Sequence, residues 1–267
     1  MPDIGTFWRG LRVTEHVFTG ALLALAAGLS RRVGLQCRWV PPTACWWHQR
    51  LCRCLALRIE SIGEPAPNAL LIANHVSWLD VPALGALGRL TFVSKDEVRN
   101  WPVVGGLATA AGTLFIKRGA NQASDVIQQI ACRIEDGGAV LVFPEGTTSD
   151  GRALRRFHPR LFAAAQRARA GLQPVAIRYG SKAEPDPVAP FIGEESLVAH
   201  LFRVFRHPGI RVEIAFLTPI DPTGCDRRTM ADAARSAIGA HLHIENGPAE
   251  LAQVPRPGRR PRTTPAG

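Results

Sequence analysis

LLIANHVSWLD, residues 70–80, contains a change of structure within one short stretch. Leu70, Leu71, Ile72 and Ala73 make a continuous apolar run of strand length, the pattern of a strand covered on both faces. Asn74 and His75 end that run. Ser77 is of the type that caps helices, and residues 76–87 carry a helical period. A buried strand that turns directly into a helix is half of a βαβ unit, so an α/β architecture is the first expectation.

The same alternation continues downstream. Strand candidates are 69–74, 91–95, 114–118, 139–143, 174–178 and 211–217, and helix candidates between them are 76–87, 101–111, 123–135 and 157–170. This predicts an α/β fold with a mixed, mostly parallel sheet covered by helices. Residues 182–209 are broken by several Pro and Gly residues and read as a long loop.

Upstream, HVFTGALLALAAGLS (16–30) has no formal charge and lies between Glu15 and Arg31-Arg32. It is shorter than the roughly 20 apolar residues of a full span, which favours an interfacial or half-inserted helix. In residues 37–59 Pro41-Pro42 can open a second helix, with Trp39, Trp46 and Trp47 among Arg38, Arg50 and Arg53. Rings mixed with cations suit a lipid head-group layer. The chain therefore divides into an N-terminal membrane-associated helical hairpin (1–56), an α/β domain (57–245) and a Pro/Arg-rich tail (246–267). The tail is expected to be disordered and drawn to anionic lipid.

With 267 residues the chain is long enough for one large α/β domain. Lys and Arg number 32 against 22 Asp and Glu, a net charge of +10 that favours anionic partners. No basic-aromatic array falls inside the expected core, so nucleic acid is not expected. Six cysteines occur without a C-x2-C pair, which reads as free thiols and no metal site. Nothing resembles a cleaved secretory signal, and the catalytic part is expected at the cytoplasmic face of the cell membrane.

His75 and Asp80 are the chemical anomaly. On an ideal helix a step of five residues puts two side chains on different faces, so the pair can meet only if His75 lies in the turn and Asp80 in the helix. Then Asp80 fixes the imidazole tautomer and leaves the other nitrogen to take a proton. No G-x-S-x-G elbow and no nearby cysteine supplies a nucleophile, so the economical reading is that the substrate brings its own hydroxyl. A second turn, AVLVFPEGTTSDG (139–151), sets Glu145, Gly146 and Thr147 at a strand end, where glycine and hydroxyls can hold a phosphate and Glu145 can accept from a substrate hydroxyl or an arginine. Two more strands end in Lys95 and in Lys117-Arg118. Ligands gather at strand carboxyl ends in such sheets.

In order, N-H-x-S-x-x-D (74–80), K-D-E-V-x-x-W-P-x-x-G (95–105), G-T-L-F-I-K-R (112–118), F-P-E-G-T-T-S (143–149) and Q-P-V-A-I (173–177) resemble the blocks of the 1-acylglycerol-3-phosphate acyltransferase family. The resemblance implies acyl transfer from acyl-CoA or acyl-carrier protein to the free hydroxyl of a lysolipid, giving phosphatidic acid from 1-acyl-glycerol-3-phosphate. It makes His75 the general base and Asp80 its partner. Glu145, Gly146 and Thr147 match the acceptor-binding block, Arg118 the phosphate-binding cation, and Lys95 a further contact. No cofactor beyond the acyl-carrying co-substrate is implied. Lys117 departs from the acidic or amide residue of many members, and PFIGEESLVAHLFRVF (190–205) resembles the branch that acylates lyso-ornithine lipid. That acceptor is the alternative. A thioester or phospholipid hydrolase would use the same His-Asp pair, and a basic lipid-binding protein would not need it.

Overall fold

The computed structural model describes residues 4–35, 37–117 and 122–244. Arg118 and the 246–267 tail lie outside them. The chain opens with two helices, α1 (Ile4–Arg32) and α2 (Val40–Cys54), then enters strand β1 (Leu57–Ile62). There follow β2 (Leu70–Ala73), α3 (Asp80–Gly85), β3 (Leu90–Lys95), α4 (Val104–Ala111), β4 (Leu114–Ile116), α5 (Gln122–Glu135) and β5 (Ala139–Val142). The rest is α6 (Ala163–Ala168), β6 (Leu172–Tyr179), α7 (Leu197–Arg206), β7 (Ile210–Phe216) and α8 (Arg227–Leu242).

Seven strands form one sheet in the order β1-β7-β6-β2-β5-β3-β4. The five from β6 to β4 are mutually parallel, while β7 runs antiparallel to β6 and parallel to β1. The expected mixed, mostly parallel sheet is therefore present. Its consequence for function is that β2, β5, β3 and β4 deliver their carboxyl ends to one rim.

Alternate strand residues face opposite sides, and each side buries its own apolar cluster. Leu71, Leu141, Val175 and Ile177 face α2, α3 and α7, whereas Leu70, Ile72, Val140 and Val142 face α5, α6 and α8. The result is a three-layer helix–sheet–helix sandwich. All four residues of β2 are completely buried. Fully burying a Leu or Ile side chain contributes about 1.5–3 kcal/mol, so this strand is a fixed platform for the loop after it.

Several expectations move at their edges. The helix expected from residue 76 begins at Asp80, because the Asp80 side chain takes the Val76 and Ser77 amides and holds that stretch as a loop. Ser77 does not cap it, and its buried hydroxyl has no partner among the described residues. The second helix ends at Cys54; Ala56 turns through a positive φ and the chain becomes β1 at the sheet edge. Residues 157–170 divide into a 3-10 turn, Pro159–Phe162, and α6. The 182–209 loop contains α7, whose first turn is capped by Ser196 Oγ accepting from the Ala199 amide at 3.2 Å.

Candidate active site

The loop between β2 and α3 carries the pair that the sequence singles out. His75 Nδ1 lies 2.7 Å from Asp80 Oδ2. The same oxygen accepts from the Val76 amide at 2.8 Å and the Ser77 amide at 3.0 Å, and Oδ1 accepts from the Tyr179 hydroxyl at 2.8 Å. Asp80 is completely buried, yet no lysine or arginine neutralises it among the described residues; hydrogen-bond donors compensate its charge instead. A carboxylate only accepts, so Nδ1 carries the imidazole proton and Nε2 keeps its lone pair. The ring is one-fifth exposed and stacks on Phe143, with centroids 4.0 Å apart and planes 17° apart.

The second turn braces this loop. Glu145 Oε1 accepts from the His75 amide at 2.9 Å and Oε2 from the Arg155 amide at 3.1 Å. Ser149 donates its amide to the His75 carbonyl at 2.9 Å, with its hydroxyl 3.3 Å away. The His75 peptide is thus held at both ends by residues 145–149. Gly146 makes the turn possible at φ +68. The expectation that Glu145 reaches a substrate hydroxyl is corrected here: the side chain is 4% exposed, points inward, and spends both oxygens on backbone donors. Burial pushes its carboxyl pKa up, against the lowering effect of those two amides.

The remaining rim residues come from adjacent strand ends. Lys95 closes β3 in register with Ile116, the last residue of β4, and Lys117 follows one position later. Lys117 Nζ lies 4.0 Å from Asp96 Oδ2. Gly146 and Thr147 are exposed at the end of β5. All of them line one cleft with His75, of about 1510 Å³, which runs from the rim under α4 to α1 and α2. Its floor and walls are mainly apolar, with Val17, Trp47, Phe92, Leu107 and Leu201 among them.

Sequence reasoning missed Tyr179, Phe143, Trp78 and His200 as parts of the site, while Ser149 was read as one hydroxyl of the 143–149 turn. Trp78 Nε1 donates to His200 Nδ1 at 2.9 Å, which ties the catalytic loop to α7. Tyr179 had one available signal: it is the sole tyrosine in the chain and it ends the strand beside β2.

A His-Asp pair at the mouth of a long apolar cleft can activate a hydroxyl or a water beside a substrate with an apolar tail. The acyltransferase family profile matches residues 58–178. A lyso-ornithine lipid O-acyltransferase of Pseudomonas aeruginosa is 46% identical over 243 residues, 89% of this chain and 93% of the relative. A 1-acyl-sn-glycerol-3-phosphate acyltransferase of Neisseria gonorrhoeae is 32% identical over 185 residues, 67% of this chain and 72% of the relative. In fold, the chain superposes with a TM-score of 0.66 on the crystal structure of the 1-acyl-sn-glycerophosphate (LPA) acyltransferase PlsC from Thermotoga maritima. That match covers 90% of this chain and 94% of the other at 20% identity. The chain belongs to the lysolipid acyltransferase family.

Proposed function

We propose that the protein transfers a fatty acyl group from acyl-CoA or acyl-carrier protein to the free hydroxyl of lyso-ornithine lipid. The carrying observation is the 2.7 Å His75–Asp80 pair opening onto an apolar cleft that leads to α1. Lysophosphatidate is the second acceptor reading. The sequence blocks favour it, but the relative at 46% identity acts on lyso-ornithine lipid and the phosphatidate-forming one stands at 32%. Lys117, the residue that departs from many family members, leans toward Asp96 and so brings less free positive charge to the rim than its type suggests.

In this reaction His75 Nε2 takes the hydroxyl proton as the oxygen attacks the thioester carbonyl. The carbon–sulfur bond breaks as the tetrahedral intermediate collapses, and the imidazolium returns its proton to the departing thiolate. Asp80 holds the ring and stabilises its charged form. The amides of His75, Val76 and Ser77 are engaged by Glu145 and Asp80, so the oxyanion must draw its donors from elsewhere on the rim.

We infer further that α1 and α2 rest on the cytoplasmic surface of the cell membrane, where soluble thioester donors are found. By length and composition α1 can cross a membrane. Its 29 residues extend about 43 Å. One face is buried at His16, Gly20 and Ala27, while Phe18, Leu22, Leu25 and Leu29 on the other are more than half exposed. A helix packed along its domain in this way supports a monotopic placement, with the hydrocarbon tail of the acceptor kept out of water at about 0.8 kcal/mol per CH2.

The test is purified protein offered lyso-ornithine lipid or lysophosphatidate with labelled acyl-CoA and acyl-carrier protein. Acylated lyso-ornithine lipid is the expected main product; acylation of lysophosphatidate alone would reverse the acceptor assignment. Free fatty acid released without acceptor would indicate a hydrolase. His75→Ala is expected to lower turnover by about 10²–10⁴-fold while vesicle binding persists, and undiminished turnover would sink the mechanism.

A further inference from the structure

Helix α7 sorts its side chains into two faces. His200, Val204 and Phe205 are buried on the domain, whereas Val198 and Phe202, one turn apart, are 62% and 51% exposed. Ile192, just upstream, is also about half exposed. An i, i+4 pair of large apolar residues on the solvent side of a short amphipathic helix leaves unfavourable surface in water.

The neighbour of this face is α1. The Arg9 guanidinium donates to the Phe205 carbonyl at 3.1 Å and the Pro208 carbonyl at 3.3 Å, and also to that of His207. It thereby fastens the carboxyl end of α7 beside the first turns of α1. There Phe7, Trp8 and Leu11 are each at least half exposed, so both helices that meet at this junction carry exposed apolar side chains. Arg203 and Arg206 occupy the last turn of α7 and both are exposed; Arg203 pairs with Glu195 at 3.1 Å, which leaves Arg206 as the cation turned to solvent. Apolar side chains flanked by an arginine, at a junction with a long apolar helix, match an anionic lipid surface better than a protein partner.

We infer that α7 is a second membrane-contacting element, with Val198 and Phe202 entering the interfacial layer of the bilayer beside α1. The inference rests on the membrane-surface reading of α1 given above. Its consequence reaches the catalytic loop, because the buried side of the same helix holds that loop. His200 Nδ1 accepts from Trp78 Nε1 at 2.9 Å, and its Nε2 lies 2.9 Å from the Val188 carbonyl. The Phe191 amide donates to the Val76 carbonyl at 3.0 Å. A helix that touches lipid on one side and the His75–Asp80 loop on the other sets the distance between bilayer and catalytic base.

The experiment is co-sedimentation of the full chain with phosphatidylethanolamine–phosphatidylglycerol vesicles, with thermal melting as the folding control. V198D/F202D is expected to weaken vesicle partition at least about fivefold without lowering the melting temperature, and V198A/F202A to weaken it less in the same direction. Unchanged partition in V198D/F202D overturns the proposal. So does a change in oligomeric state at unchanged partition, which would make this face a contact with a second copy. L22D/L25D separates the two readings. If it leaves partition intact while V198D/F202D reduces it, the α1 reading fails and α7 stands; the converse leaves α1 standing and removes α7.

Discussion

A buried carboxylate without a cation beside it needs donors at both oxygens, and each donor to Asp80 serves a different purpose. His75 Nδ1 is the chemistry, the Val76 and Ser77 amides shape the loop, and the Tyr179 hydroxyl occupies Oδ1 from the neighbouring strand. Tyr179→Phe removes only the last. A hydrogen bond to a charged group contributes about 1.5–3 kcal/mol, so the melting temperature is expected to fall by several degrees. With Oδ1 unpartnered, the carboxylate holds the imidazole less firmly, and kcat is expected to fall while KM for lipid is unchanged. A variant that only melts earlier, with unchanged kcat, would make Tyr179 structural alone. His75 and Asp80 were legible in the sequence because their meeting is local. Tyr179 was not, since it sits 99 positions away and reaches Asp80 only because β6 pairs with β2. Glu145 was legible as important but misread in role, because burial cannot be read from a turn motif.

At the scale of elements, the K-D-E-V-x-x-W-P-x-x-G block becomes a physical object. A 3-10 turn, Asp96–Asn100, carries the chain from β3 to Trp101-Pro102, and α4 then folds back across it. At Gly105 a Cβ would stand 1.9 Å from the Arg99 carbonyl oxygen, so no other residue fits without moving backbone. Gly105→Ala is expected to cost about 1–3 kcal/mol and to raise KM for lipid, because Val104, Leu107 and Ala108 of α4 line the cleft. Gly106→Ala is the control: nothing lies within 4 Å of its Cβ position, and alanine favours helix by about 1 kcal/mol. Equal melting temperatures for the two variants would remove the steric account. Strands β2 to β7 were legible as apolar runs. Strand β1 was hidden because LRIESI follows a helix without a break signal and is mostly exposed. Helix α7 was hidden behind the Pro- and Gly-rich stretch before it, although Leu197, Leu201, Val204 and Phe205 keep helical spacing.

At the scale of the molecule the helical pair is part of the body rather than an appendage. Cys52 and Leu55 belong to the same core as β2 and β6, so removing residues 1–56 would open that core as well as the membrane contact. The pair is seated through two histidines. His16 is fully buried, stacks on Trp47 with centroids 4.1 Å apart, and has Nδ1 3.2 Å from Arg50 Nη1. Arg50 in turn pairs with Glu15. His48 packs edge-on against Phe92 and fills the space over Gly85. His16 Nε2 and His48 Nδ1 are buried without hydrogen-bond partners among the described residues. Burial, then Arg50 for His16 and His16 for His48, pushes both pKa values down from 6.5 to about 4. Between those values the unfolded chain binds more protons than the folded one, so stability is complete above about pH 6.5 and declines as pH falls toward about 4. Thermal melts are expected to show that decline, and His48→Gln, which cannot titrate, to flatten part of it. Carboxylates also contribute to acid unfolding, so the informative quantity is the difference between the two slopes. Parallel slopes for the two proteins would show that His48 does not take up a proton on unfolding in this range, against the burial argument.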